Sequence, residues 1–238
     1  MKKHSLLITL IVLLLLLSGL DTKRPFTGVI LQKASGEKQL EYAKTYPNYD
    51  ILERMVYIPS EVKDWPSLTN MIFHIQSIER PILQRLESAG VKIRLFHGDL
   101  TDEPWLYHLK WEQPRGWKSP VTWEDVPGSG GSWLISAKIG ASDPGNGHRS
   151  VNLELHEIGH TIYKLLKNND SLASDFEKIW KSEVHHLFGD QEYFNVYSSE
   201  YFSESFAYYY ANEDLKAQLK KKAPETAAFI SKLSTYRY

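Results

Sequence analysis

Val151-Asn152-Leu153-Glu154-Leu155-His156-Glu157-Ile158-Gly159-His160-Thr161-Ile162-Tyr163-Lys164-Leu165 is the stretch from which the rest of the chain can be read. Val151, Leu155, Ile158, Ile162 and Leu165 recur at i, i+4, i+7, i+11 and i+14, the core stripe of an amphipathic helix. At about 100° per residue, His156 and His160 fall roughly 140–180° from that stripe, one turn apart on a common face. The helix therefore turns its aliphatic side into a core and presents two imidazoles, with Glu157 beside them, on the other side.

Upstream, Trp133, Ile135, Ala137 and Ile139 alternate with Leu134, Ser136 and Lys138, which reads as a strand at a sheet edge. The glycine-rich connection Gly140 to Gly147 joins it to the helix. Before it, Trp105, Trp111, Trp117, Trp123 and Trp133 interleave with Pro114, Pro120 and Pro127 and run into Gly128-Ser129-Gly130-Gly131-Ser132. That segment reads as ordered loops over a short hairpin. Further back, Ile51 to Pro59 reads as the first strand, and Leu68, Met71, Ile72, Ile75, Ile78, Ile82 and Leu86 trace a helical period that Pro81 should bend or break. Gly90 closes it before a strand from Val91 to Phe96. Residues 21–50 are polar and turn-rich, an N-terminal extension, and everything after the histidine helix reads as helices. The expected class is α+β, a single domain over residues 51–238. A small α/β N-terminal lobe with a twisted sheet faces a mostly helical C-terminal lobe, with an active-site cleft between them.

A chain of 238 residues with 42% hydrophobic content can bury a core, which excludes disorder as the default. Residues 1–20 open with Lys2 and Lys3 and continue in an apolar run, Leu6 to Leu17, short for a spanning helix and typical of a secretory signal. Ser18-Gly19-Leu20 matches a cleavage site poorly, so an uncleaved anchor holding the protein on the outer side of a membrane is the alternative to secretion. With no cysteine there is no disulfide framework, no thiolate ligand and no lipid-bearing thiol. Without residues 1–20 the chain keeps 26 of its 28 Lys and Arg against 29 Asp and Glu, a net charge of −3 that points away from nucleic acid. A monomer is expected.

Two histidines at this spacing with a glutamate between them are the zinc-hydrolase arrangement. Zinc held by two histidines needs a third protein ligand and an open position for water. Ser199-Glu200-Tyr201-Phe202-Ser203-Glu204 offers carboxylates at i and i+4, on a face that continues through Ala207 and Ala211, small enough for close helix approach. In this reading His156, His160 and Glu200 hold one Zn2+ per chain, Glu157 is the general base, and Glu204 fixes a histidine tautomer. His148 reads as a loop or capping residue, and His185-His186 as a helix end.

Around these residues the chain resembles the secreted Pro-Pro endopeptidases, relatives of the catalytic domain of anthrax lethal factor. The resemblance runs from about Val91 to Leu233. It is carried by Gly98-Asp99-Leu100-Thr101-Asp102, Arg115-Gly116-Trp117, Thr122-Trp123-Glu124-Asp125-Val126-Pro127-Gly128, Asn152-Leu153-Glu154-Leu155-His156-Glu157 and Glu204-Ser205-Phe206-Ala207-Tyr208-Tyr209-Tyr210. It implies a gluzincin-like zinc metalloendopeptidase that cuts between two prolines of a proline-rich protein or peptide. It also implies that Tyr193, seven residues before the carboxylate ligand, directs its hydroxyl at the oxyanion. Such substrates favour polyproline II and dock on aromatic surfaces, which makes Trp117, with Arg115 nearby, the expected substrate contact. The family pattern places a second acidic residue directly before the carboxylate ligand. Ser199 stands there in this chain, so the loop around Arg115 is expected to lose an acidic partner. The competing reading is a non-catalytic secreted or membrane-tethered module that binds proline-rich or glycan ligands.

Overall fold

The computed structural model describes residues 26–34, 38–116 and 120–238, so the expected signal at residues 1–20 and the expected substrate contact Trp117 lie outside the described residues. The architecture is α+β. In chain order it runs β1 (Val29–Ile30), α1 (Lys38–Ala43), α2 (Tyr49–Met55), β2 (Val56–Ile58), α3 (Trp65–Gln76), α4 (Arg80–Ser88) and β3 (Lys92–Phe96). After two short 3-10 turns come β4 (Gly128–Ser129) and β5 (Leu134–Lys138), and then α5 (Leu153–Leu166), α6 (Asp170–Phe188), α7 (Glu192–Val196), α8 (Ser198–Ala211), α9 (Glu213–Lys222) and α10 (Pro224–Ser231).

The sheet has the order β1-β2-β3-β5-β4, with β2, β3 and β5 parallel and the two-residue strands β1 and β4 antiparallel at its edges. β5 is thus an inner strand and not the edge that its alternation suggested. The reason is that Gly128 and Ser129 pair with Ala137 and Ser136 on its outer side; its faces are also both covered, Ile135 and Ala137 by the main core and Leu134 by Phe26 and Tyr57. A second correction falls at Ile51 to Pro59. Its first half is helical, because Ile51, Leu52 and Met55, all fully buried, follow a helical spacing within α2, and only Val56–Ile58 is strand. The break expected near Pro81 is present: α3 ends at Gln76, and Pro81 lies in the first turn of a separate helix, α4, where a missing N–H costs nothing.

The polar stretch before residue 50 is built into the body, since it supplies β1 and the fully buried Leu31, Leu40 and Ala43. In the helical half, asparagine marks the helix starts. Asn152, Asn169 and Asn212 each accept from the backbone N–H three residues on, at 3.0, 3.1 and 2.9 Å. α10 lacks a cap of its own. Buried Glu183 on α6 serves instead, accepting from the backbone N–H of Glu225 and Thr226 at 2.8 Å each and from the Thr226 hydroxyl at 2.7 Å. Glu183→Ala is expected to lower stability by about 2–3 kcal/mol, because it strands buried donors. Urea unfolding measures it, and an unshifted midpoint would remove the capping assignment.

Candidate active site

α5 follows the expected stripe: Leu155, Ile158 and Ile162 are fully buried, while Val151 lies just before the Asn152 cap. The opposite face is not solvated. α8 lies across it and leaves the side chains of His156 and His160 only 12% and 17% exposed. The two backbones come closest at Gly159, where a Cβ would stand 2.7 Å from the Cα of Ser203. No side chain fits there. The small-residue contact thus centres on Gly159, with buried Ala207 further along α8.

This approach brings Glu200 opposite the histidines. Its Oε2 is 3.4 Å from Nε2 of His156 and 3.2 Å from Nε2 of His160, and the two ring nitrogens are 3.1 Å apart. One donor atom from each of the three residues falls within 4.8 Å of the others. His156 Nδ1 lies 2.8 Å from Glu204 Oε2, so with that nitrogen donating, Nε2 keeps its lone pair for the centre. Glu204 is held in turn by the Val151 N–H, which donates to Oε1 at 2.9 Å. Buried Glu200 Oε2 has no hydrogen-bond partner. Converging ring nitrogens and an orphaned carboxylate oxygen are a donor set that a cation relieves, and two imidazoles with one carboxylate suit zinc. Burial works against charge on His156, but the carboxylates of Glu200 and Glu204 outweigh it and push its pKa up to about 10. Burial likewise works against ionised Glu200, yet His156 and His160 hold it well below the usual carboxylate range.

Glu157 is 9% exposed. Burial raises its pKa, with the neighbouring His160 and His156 opposing. The loop after β4 passes directly over it: a Cβ on Gly130 would lie 2.1 Å from the Glu157 carbonyl oxygen, and one on Gly128 would lie 3.1 Å from Oε1. Tyr193, on α7, stands beside Glu200, and its pKa is raised by burial and by that carboxylate's charge. Its ring packs under the backbone at Gly116, where a Cβ would meet Cε2 at 2.7 Å. Arg115 is turned toward α8. It donates to Ser199 Oγ at 3.1 Å and to Glu200 Oε1 at 3.3 Å, with its guanidinium 4.6 Å from the Tyr197 ring centre. The acidic partner at position 199 is absent as expected, and Arg115 instead contacts the Ser199 hydroxyl and Glu200 itself.

Several supporting residues escape a reading of the motif. Fully buried Glu154 accepts from Ser142 Oγ and Asn152 Nδ2 at 3.1 Å each and pairs with His74 Nδ1 at 2.6 Å, tying the start of α5 to α3. A charged residue one position from the apolar stripe was its signal. Gly128 and Gly130 were visible as a glycine run, but their contact with Glu157 depends on tertiary approach. His148 is a loop residue, its ring against the Ala141 carbonyl, and His185 stays at an exposed helix end near Asp190.

An α+β domain whose His-Glu-x-x-His helix is crossed by a carboxylate-bearing helix defines a class of metallopeptidase-like sites. The chain belongs to the anthrax lethal factor family: the family model described as "Anthrax toxin lethal factor, N- and C-terminal domain" matches residues 43–233. The Pro-Pro endopeptidase of Clostridioides difficile (strain 630) is 39% identical over 188 residues, covering 79% of this chain and 84% of that protein. The Pro-Pro endopeptidase of Paenibacillus alvei is 36% identical over 184 residues, 77% of this chain and 84% of that protein. The solved structure of the Pro-Pro endopeptidase from Paenibacillus alvei has the same fold, with a TM-score of 0.71 over 77% of this chain and 99% of that chain.

Two outcomes follow from the geometry. A metal ion held through Nε2 would have to displace the proton that the two carboxylates favour on His156, so metal affinity is expected to rise with pH, by up to ~10-fold per unit for one proton. Chelator competition at several pH values measures this, and a flat profile would contradict the pairing of His156 with the two carboxylates. Gly159→Ala should force α5 and α8 apart, spreading the His156, His160 and Glu200 donors and costing about 1–3 kcal/mol of stability by overpacking.

Proposed function

We propose that this chain is an exported zinc-dependent endopeptidase that hydrolyses the bond between two prolines in proline-rich proteins. The observation that carries the reading is the convergence of His156, His160 and Glu200 next to buried Glu157, in a chain 39% identical over most of its length to a Pro-Pro endopeptidase. The Lys2-Lys3 start and the apolar run to Leu17 support export.

His156, His160 and Glu200 are the residues that would hold the metal. Zinc, when bound, supplies a Lewis acid that lowers the pKa of water toward about 7. Glu157 takes the proton of the attacking water, a task suited to a carboxyl whose pKa burial has raised, and delivers it to the leaving ring nitrogen. That delivery matters because the departing proline is a secondary amine and a poor leaving group until protonated. Tyr193, kept neutral by burial and by Glu200, donates its hydroxyl proton in a hydrogen bond to the oxyanion. Glu204 holds His156 in the tautomer that leaves Nε2 free.

The test is mass spectrometry of a peptide library built on a central Pro-Pro pair, incubated with the full chain and with Glu157→Gln. Cleavage between the prolines is expected from the parent. The variant should retain stoichiometric zinc and lose about 100- to 10,000-fold in rate. A zinc-loaded parent that binds these peptides and cuts none would leave the binding module as the correct reading.

A further inference from the structure

The stretch that leads into the site carries aromatic rings that folding does not use. Its inner side is well anchored. Leu100 and Leu106 pack with Phe96 in a cluster to which Leu109 and Trp123 add. Fully buried Glu103 pairs with Arg94 at 2.7 Å, and Trp123 N–H donates to the Glu112 carbonyl at 3.0 Å. In the 3-10 turn Tyr107–Leu109 the i, i+3 pair Leu106 and Leu109 faces inward, which leaves Tyr107 facing out. Tyr107 is 53% exposed and Trp111 is 70% exposed, and the two rings stand edge to face with centroids 5.9 Å apart. Trp105, 47% exposed, leans on Trp133. Rings this exposed add little to stability, so packing does not account for them.

We propose that Tyr107 and Trp111 form a second binding surface for the substrate, taking a proline-rich segment in polyproline II conformation that flanks the scissile pair. The proposal rests on the activity proposed above. Proline rings dock on exposed aromatic rings, and a preformed polyproline II segment loses little conformational entropy on doing so. Lys110, between the two rings in sequence, is paired with Glu124 at 2.8 Å, which suits an uncharged ligand. The ring pair is also tied to the site along the chain. From Trp111 the chain passes through Pro114 to Arg115, in contact with Glu200, and to Gly116, against Tyr193. Four residues span at most about 14 Å, and polyproline II rises about 3.1 Å per residue, so from Trp111 to Arg115 the docked segment would cover no more than about five residues, with the arginine's reach to Glu200 beyond that.

The experiment uses the full chain and compares a short Pro-Pro peptide with the same peptide carrying a proline–alanine extension of about six or more residues at either end. For the parent, one extension is expected to lower KM about five- to ten-fold at unchanged kcat, the scale of one or two packed aromatics. A Tyr107→Ala, Trp111→Ala double variant should lose that gain and cleave the short peptide like the parent, with its thermal midpoint as a check on folding. No gain from extension in the parent, or a gain that survives in the variant, overturns the proposal. Calorimetric binding of a proline–alanine repeat lacking any Pro-Pro pair to Glu157→Gln, with and without the double substitution, reads the surface even if no peptide is cleaved. Unchanged repeat binding, together with loss of self-association or of binding to phosphatidylcholine vesicles in the double variant, would assign the rings to a second copy or to lipid and also overturn it.

Discussion

The contact of two helix backbones at Gly159 and Ser203 is the constraint on which the site depends. With a Cβ-to-Cα separation of only 2.7 Å available at that point, α5 and α8 meet without any side chain between them. A carboxylate side chain is short, so Glu200 reaches the space between His156 and His160 only because its helix lies this close. Glu204, one turn further along α8, meets His156 from the other side of the ring. A single approach thus delivers both a donor atom and the group that orients one of its neighbours.

Buried carboxylates recur through the structure, and each is matched to partners of the right kind. Glu103 takes Arg94 and the backbone N–H of Thr27, Glu183 takes the open start of α10, Glu154 takes His74, and Glu204 takes His156 and the N–H before α5. Desolvating a carboxylate is unfavourable unless its lone pairs are satisfied, so these groups specify one arrangement of the elements more than they add net stability. Glu154 and Glu200 each keep one oxygen, Oε2, without a hydrogen-bond partner. Of the two, it is Glu200 whose free oxygen faces two imidazole nitrogens, at 3.4 and 3.2 Å, and this separates a binding site from a structural pair.

The histidine helix was legible from its period, and the donor residues from their spacing, because a helix turns sequence distance into spatial distance by a fixed rule. The class, the break at Pro81 and the helical second half were legible for the same reason. β5 was misplaced because alternation reports which residues face alike, not whether a two-residue strand such as Gly128–Ser129 pairs along its outer side. Ile51 to Met55 were misread as strand because a short apolar run carries no distinguishing period. The glycines beside Glu157 and the pairing of Glu154 with His74 were out of reach, since they join residues from separate elements that only the folded packing brings together.

Ser199 shows how one substitution can change the character of a loop without unseating it. Without an acidic residue at that position, Arg115 turns to the outer oxygen of Glu200 and to the serine hydroxyl. The guanidinium side chain is 61% exposed, so this pair is screened by water and contributes about 0–1 kcal/mol. Such a contact cannot by itself hold the loop. The tighter restraint is at Gly116, whose left-handed backbone (φ of 82°) lets the chain settle on the Tyr193 ring at a distance no Cβ would tolerate. The loop is therefore positioned by shape against the tyrosine, while the arginine biases Glu200 toward presenting one oxygen, not two, to the histidines.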